Sequence, residues 1–299
     1  MSFTLKFVLA LALGLAAAVI IAPFAAAGVA AAGFHFPFPR IFDRTVMVTL
    51  LVALLCFARP LRLFELLREG FAGPRANLVR TGAGLLLALV AVGSLFGIAA
   101  YFGSSHSIPY REIAMRASSA VVAAIVIGVI EEGFFRAFLL GGMESDVGSG
   151  GAVLVSSAIY AMAHVVRAPA HYYLIGIHPA AGVRNLAESA IRLAHPLAAL
   201  PELLGLFLLG ALLGEAFLLS RTVYFSIGMH AGFVLGAKSW PALADSRIRV
   251  PRWLAGSGPV PLIGAPAAWA MAVALILLLP TLIARPAPPE ERRHLSLLP

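Results

Sequence analysis

The 299-residue chain has one cysteine, two lysines and three aspartates. With a single cysteine, Cys56, it can form no intramolecular disulfide and no thiolate metal cluster. Because Cys56 lies in an apolar run, we expect a small buried hydrophobic residue rather than a nucleophile. All three aspartates lie outside the apolar runs, which excludes an aspartate pair acting inside a membrane.

Charged residues are also scarce, at 12% of the chain, while 61% is hydrophobic and the mean hydropathy is +0.94. A soluble protein carries about a quarter charged residues. The arginines that give most of the net charge of +8 cluster at the ends of apolar runs, which is typical of anchoring to lipid headgroups. We therefore predict an all-α polytopic membrane protein that has membrane lipids and no nucleic acid as partners.

The apolar runs predict about eight membrane spans, because each approaches the length of a hydrocarbon core. The first run begins like a signal peptide but is longer than a normal signal core, so we favour an uncleaved span over a cleaved signal. The spans are predicted near residues 7–32, 45–57, 81–102, 114–143, 152–166, 198–219, 223–237 and 265–284. A basic amphipathic stretch, 59–80, predicts an interfacial helix.

We divide the chain into three parts. Residues 1–113 hold N-terminal spans and the basic stretch, residues 114–240 hold a core, and residues 241–299 hold a basic loop, the last span and a tail. The tail, 285–299, is Pro-rich and charged, which predicts disorder. We expect a multi-pass protein of the plasma (inner) membrane. Its orientation stays open, because the basic stretches 59–80 and 238–252 favour opposite assignments.

Three ionisable residues, Glu131, Glu132 and Arg136, interrupt the apolar run 114–143. A charge at bilayer depth costs roughly 2.5–3.5 kcal/mol, so such residues are usually paired or functional. On an α-helix, Glu132 and Arg136 share a face and can form an ion pair, while Glu131 is rotated by about 100°. We predict that Glu132 and Arg136 steady the helix and that Glu131 faces a cavity, where it can act on water.

Two histidines, His164 and His230, lie inside other apolar runs. The glycine-rich stretch 148–151 predicts a tight turn, and counting from it places Glu131 and His164 at similar depth on facing helices. The helix of His230 carries glycines every four residues from 228 to 236, which predicts close packing of the opposite face. Glu131, His164 and His230 are therefore the candidate site, although a lone membrane histidine is as often a packing residue.

Two motifs that would indicate other hydrolases are missing: the His-Glu-x-x-His zinc helix and the Gly-x-Ser-x-Gly elbow. The charged residues of the run 114–143 could instead serve as a proton relay or ion site in a transporter. A transporter often shows inverted repeats, and the sequence shows no internal repeat. The transporter is the runner-up hypothesis.

Three segments, taken in order, resemble the motifs of the CAAX protease and bacteriocin-processing family, also called CPBP or Abi. The family motifs are Glu-Glu-x-x-x-Arg, Phe-x-x-x-His and His-x-x-x-Asn/Asp. The matching segments here are Glu131-Glu132-x-x-x-Arg136, Tyr160-x-x-x-His164 and His230-x-x-x-Val234. The resemblance covers about residues 114–237 and is closest to the type II CAAX prenyl proteases.

The resemblance implies an intramembrane endopeptidase that acts on a lipid-anchored or membrane-embedded peptide. The family is named for metalloendopeptidases, although its glutamate–histidine set can work without a metal. It implies that Glu131 activates a water with help from His164, and that His230 binds the oxyanion or positions the water. We favour no cofactor; zinc, if it binds, would be held by Glu131, His164 and His230.

This chain departs from the family pattern at two positions. Tyr160 stands where the family has Phe, a mild change that adds a hydroxyl. Val234 replaces the Asn or Asp of the third motif, which removes a polar side chain, and Ser226, one turn before His230, could substitute for it. These departures keep a third hypothesis open: a non-catalytic family member that confers immunity or assists assembly.

Overall fold

The computed structural model describes residues 1–102, 110–166, 172–243, 250–256 and 262–283. Within these ranges the chain is helical and contains no strand, which confirms the all-α prediction. The elements are α1 (Phe3–Ala31), α2 (Phe38–Cys56), α3 (Leu63–Gly70), α4 (Pro74–Tyr101), α5 (Tyr110–Glu132), a π-helix (Gly133–Leu140), α6 (Gly141–Val165), α7 (Ala181–Ala190), a 3₁₀ turn (Ile191–Ala194), α8 (Pro196–Ser220), α9 (Tyr224–Leu243), α10 (Arg252–Ala255) and α11 (Pro266–Leu282).

Three stretches of the described helices are long and apolar enough to cross a membrane: Phe3–Ala31, Asn77–Tyr101 and Leu197–Ser220. A shorter apolar helix, Pro266–Leu282, accompanies them. Helix α2, predicted as a span, carries Arg40, Asp43 and Arg44 within its 19 residues. The total of eight spans therefore stays a prediction, while three apolar candidates are established.

The sequence predicted one α-helix over the run 114–143, but the structure divides this run. Helix α5 ends at Glu132, and a π-helix takes the chain to Leu140, where α6 follows directly. Single π-turns inside helices are frequent at functional sites. The predicted turn at 148–151 is confined to Gly148, whose φ of 73° and ψ of 166° are accessible essentially only to glycine. The helix continues on both sides of this one residue.

The prediction of a single interfacial helix over 59–80 is wrong. Helix α3 covers only Leu63–Gly70, and Gly73, with a positive φ, precedes the start of α4 at Pro74. The predicted loop 238–252 is also shorter, because α9 runs on to Leu243. Cys56 is exposed and not buried. The predicted disordered tail, 285–299, lies outside the described residues.

Helix α9 packs on α4 through the glycines that the sequence singled out. A Cβ added at Gly228 would overlap the carbonyl oxygen of Thr81, and one at Gly236 would overlap the side chain of Val92. The close approach predicted for this face is therefore confirmed. It leaves the opposite face of α9, which carries His230, for the cavity described below.

Helix α1 is part of the same core. Its N-terminal phenylalanines, Phe3 and Phe7, pack edge-on against Phe138 of the π-helix. The Asp146 carboxylate, just before the Gly148 reversal, accepts hydrogen bonds from the Thr4 backbone N–H and hydroxyl, each 2.7 Å long. This contact ties the start of α1 to the end of the helical hairpin that holds the site.

Candidate active site

Three helices bring the candidate residues together. Glu131 is the next-to-last residue of α5, and His164 lies in the last turn of α6. Because Gly148 reverses the chain midway between them, the two side chains meet: His164 Nε2 lies 3.6 Å from Glu131 Oε2. From α9, His230 Nε2 lies 3.8 Å from the same oxygen. One carboxylate oxygen is thus flanked by two imidazoles from two other helices.

Hydrogen bonds on the far side of each ring fix which nitrogen faces Glu131. His164 Nδ1 lies 2.8 Å from the carbonyl oxygen of Tyr160, which can only accept, so Nδ1 carries a proton. His230 Nδ1 lies 2.8 Å from Glu132 Oε1 and donates to it in the same way. In the neutral state both rings therefore present a lone pair on Nε2 toward Glu131.

The second glutamate has a different environment. The side chains of Glu132 and Arg136 are completely buried, and Arg136 Nε lies 3.4 Å from Glu132 Oε2. Glu132 also accepts the bond from His230. Glu132 therefore links the arginine and the histidine, which the i, i+4 argument alone did not foresee.

Arg136 places a full charge in the interior of the bundle. Its guanidinium lies over the ring of Tyr160, 5.1 Å from the centroid, and 5.9 Å from that of Phe135. Cations are attracted to aromatic faces, more strongly when both are away from water. Together with Glu132, these rings compensate the arginine charge in a site where no described residue accepts a hydrogen bond from the guanidinium.

Tyr160 is the residue whose role the sequence underestimated. Its ring is 2% exposed and lies 4.3 Å from the His164 ring and 6.3 Å from the His230 ring, centroid to centroid. With Glu131 it lines the same cavity. The spacing Tyr160-x-x-x-His164, one helical turn, was the available signal that Tyr160 shares the site's face of α6.

Glu131, Tyr160, His164 and His230 open onto one cavity of about 620 Å³. Val234 also lines it, as its position one turn after His230 predicts. Ser226 does not: it is fully buried and donates to the Val223 carbonyl. The wall is otherwise mostly apolar, with Glu202, Lys238 and Trp269 as further polar members.

A zinc ion at this site would take Glu131, His164 and His230 as its ligands. Among the described residues, no group of three His, Cys, Asp or Glu side chains is arranged so that it could hold a metal ion. Both imidazoles nevertheless turn Nε2 toward Glu131, and the bond from His230 Nδ1 to Glu132 leaves that Nε2 available. Zinc binding by Glu131, His164 and His230 therefore stays a prediction, and no chemical step here is routed through a metal.

Fold and site together define a helical membrane protein with a buried glutamate–histidine cavity. Residues 113–236 match the family model described as type II CAAX prenyl endopeptidase Rce1-like. The match confirms the resemblance that the three motifs indicated, and supports placing this segment in the CAAX protease family, whose members are typically membrane-embedded proteases. The comparisons with curated proteins and with solved structures found no match.

Proposed function

We propose that this protein is an intramembrane endopeptidase in which Glu131 activates a water against a peptide bond. The observation that carries the proposal is the convergence of His164 Nε2 and His230 Nε2 on Glu131 Oε2, at 3.6 and 3.8 Å, at the wall of one cavity. The match of residues 113–236 to a peptidase family supports the same function.

The spacing of the three acceptor atoms suits a water. Distances of 3.6 and 3.8 Å exceed direct hydrogen-bond lengths, and polar contacts of that span are commonly bridged by water. A water has two protons to donate, so it can bind the Glu131 carboxylate and one imidazole while its own lone pair faces the cavity. His164, 32% exposed, is nearer to the open side than His230, which is 2% exposed.

In the reaction we propose, the water oxygen attacks the carbonyl carbon of the scissile bond as its proton moves to Glu131. The C=O bond becomes a single bond to a negatively charged oxygen. When the C–N bond breaks, the leaving nitrogen takes the proton back from Glu131, and an acid and an amine are released. His164 assists the proton movement, and His230, held by Glu132 with its Nε2 lone pair toward Glu131, accepts a hydrogen bond from the water and positions it.

The substrate we propose is a lipid-anchored or membrane-embedded peptide. The cavity wall is mostly apolar and opens beside helices that are long enough to lie in lipid. We also propose that the chain is a multi-pass protein of the plasma (inner) membrane, surrounded by lipid partners.

The experiment is cleavage of a lipid-anchored peptide by the purified protein in nanodiscs. Wild-type protein should cleave it, and oxygen from labelled water should enter the new carboxyl group. Glu131→Gln should reduce the rate at least a thousandfold, because it removes the carboxylate that takes the proton of the water. Glu144→Gln is the matched control, since Glu144 pairs with Arg221 at 3.1 Å, outside the cavity. Full activity in Glu131→Gln would refute the proposal.

The metal question has its own arm in the same assay. If water is activated by Glu131 and His164 alone, activity should survive chelators, and metal analysis should show far less than one equivalent per chain. Near-stoichiometric zinc whose removal abolishes activity would show instead that Glu131, His164 and His230 act as ligands.

A further inference from the structure

The strongest feature that the proposed function leaves unused is the Tyr160 hydroxyl. It is buried in the cavity wall, and its ring lies against His164 and His230, the two imidazoles that flank Glu131, the group assigned as base. An oxyanion formed beside Glu131 would need a hydrogen-bond donor. Val234, also in the cavity wall, has no polar side-chain atom, and Ser226 is fully buried, does not line the cavity and donates to the Val223 carbonyl.

We propose that the Tyr160 hydroxyl is a catalytic residue that supplies the oxyanion donor which Val234 cannot. This inference rests on the proposed function. In the resting site the negative charge lies on the Glu131 carboxylate. When Glu131 takes the proton of the water, that charge disappears and a new one forms on the substrate oxygen. The hydroxyl can then turn its single proton to the oxyanion.

The neighbours of Tyr160 suit this role. Its ring is held by the edge of Phe135, 5.0 Å away between centroids, and by the guanidinium of Arg136 on its face. These contacts fix the ring, so that only the hydroxyl torsion is free to change. A donor that is already in place when charge develops stabilises an oxyanion most, and losing one typically costs about 100–1,000-fold in turnover.

A double-mutant cycle tests the idea. Tyr160→Phe should lower kcat about 100-fold and leave KM within about twofold, because the hydroxyl acts on the transition state. The double variant Tyr160→Phe/Val234→Asn should have a kcat at least tenfold higher than that of Tyr160→Phe, because an amide one turn after His230 offers a donor in the same cavity. Val234→Asn alone should change kcat less than threefold, since a donor is already present.

The controls separate the possible failures. Tyr224→Phe removes another tyrosine hydroxyl bond, to the Phe71 carbonyl at 3.0 Å, outside the cavity, and should leave kcat unchanged. If wild type does not exceed the Glu131→Gln blank, the proposed function has failed. If wild type is active but Tyr160→Phe is equally active, or Val234→Asn alone raises kcat about 100-fold, the role of Tyr160 is refuted. The kcat of Val234→Asn alone tests the role of Tyr160 even if Tyr160→Phe does not fold.

A second inference comes from a separate groove between α1 and α2, of about 840 Å³. Apolar residues of α1 from Leu13 to Val29 and of α2 from Ile41 to Cys56 line its length. From Arg40 to Cys56, α2 rises about 24 Å, most of a hydrocarbon core of about 30 Å. The groove therefore has the length and composition to hold an extended acyl chain.

Two arginines, Arg40 and Arg44, stand one turn apart at one end of this groove. Arg40 lies over the Phe36 ring at 5.1 Å, and Arg44 Nη1 contacts the sulfur of Met47 at 3.4 Å. Asp43, the acid beside them in sequence, does not line the groove. Two guanidiniums at the end of an apolar channel match an anionic phosphate joined to an acyl chain.

We infer that this groove binds one anionic phospholipid, with its phosphate at Arg40 and Arg44 and an acyl chain along α1 and α2. The test is native mass spectrometry of the full chain released from nanodiscs with equal phosphatidylglycerol and phosphatidylcholine. Wild type should retain phosphatidylglycerol in preference to phosphatidylcholine. The double variant Arg40→Gln/Arg44→Gln should reduce this preference at least about tenfold.

The matched control is Arg59→Gln/Arg68→Gln, which removes two exposed arginines outside the groove. It should keep the preference for phosphatidylglycerol. Equal retention of the two lipids by wild type would overturn the inference. An equal loss in both double variants would also overturn it, because it would show general attraction to an anionic membrane. A protein helix recovered in the groove in place of lipid would overturn it as well.

Discussion

Glu131 and Glu132 are neighbours in the chain, yet they lie in two different regions of the molecule. The Glu131 side chain is 24% exposed, lines the cavity with Tyr160 and has two imidazoles around it. Glu132 is 0% exposed, does not line the cavity, and pairs with Arg136 and His230. The 100° step of the helix is what separates them.

The difference teaches how a membrane helix can carry two carboxylates. A buried charge persists only when a partner compensates it, and removing one partner of a buried pair costs about 3–5 kcal/mol. Glu132 meets that condition with an arginine and a histidine. Because Glu132 compensates the charge of Arg136, the carboxylate of Glu131 is available to act on a water. His230 touches both carboxylates and couples the two regions.

The largest combined effect on turnover and stability should come from His230, because it belongs to both regions. His230→Gln should reduce turnover about 100–10,000-fold and also lower the free energy of unfolding by about 1.5–3 kcal/mol, since Glu132 loses a charged hydrogen bond. Cleavage and thermal unfolding in the same nanodiscs would measure both. His178→Gln, at an exposed histidine bonded to the Ile175 carbonyl, should change neither. A change in only one of the two quantities would break the coupling.

The two faces of α9 give the next comparison. Gly228→Ala should destabilise the fold by about 1–3 kcal/mol, because the new Cβ would meet the backbone of Thr81 on α4. Gly93→Ala is the matched control: a Cβ there meets nothing within 4 Å, so stability should be unchanged or slightly raised. Thermal unfolding of the two variants decides it, and equal stability would mean that the glycine face does not set the position of His230.

Much of this site follows from spacing in the sequence. The depth count from the glycine turn indicated that Glu131 and His164 meet, and one turn of helix placed Val234 at the cavity with His230. The glycines at four-residue spacing also predicted the packed face of α9. Each of these depends on local helix geometry, which a sequence encodes directly.

Other features could not be read in this way, because they depend on contacts between helices. The bond from His230 to Glu132 joins residues 98 apart, and the prediction gave Glu132 only its local partner Arg136. The π-helix after Glu132 contains no proline, and the glycine at its start, Gly133, does not by itself indicate a π-helix. The hydroxyl of Tyr160 was visible in the sequence, but its burial in the cavity wall was not. Arg221, too, pairs with Glu144, 77 residues away.

The smallest effect should come from the far end of the hairpin, at Asp146. Hydrogen bonds from the Thr4 N–H and hydroxyl hold the pKa of this exposed carboxyl below its usual value. A depressed folded pKa means that the stabilisation is present above the unfolded pKa, about 3.9, and is lost as pH falls through the folded value. Asp146→Asn should therefore cost less than about 1 kcal/mol at pH 7.

The pH series checks that sign. The difference in unfolding temperature between wild type and Asp146→Asn should be largest near pH 7 and shrink as the pH is lowered below about 4. A difference that grows on acidification would show that the contact with Thr4 does not favour the ionised carboxylate.

The division of labour between the two glutamates is tested most directly by Glu131→Gln and Glu132→Gln, each measured for cleavage and for thermal unfolding. Glu131→Gln should abolish cleavage and leave the unfolding temperature close to wild type, because its carboxylate is needed for water and not for packing. Glu132→Gln should lower the stability by about 3–5 kcal/mol, because Arg136 would keep its charge in the interior without a counterion. The reverse pattern, or equal losses in both variants, would contradict the account.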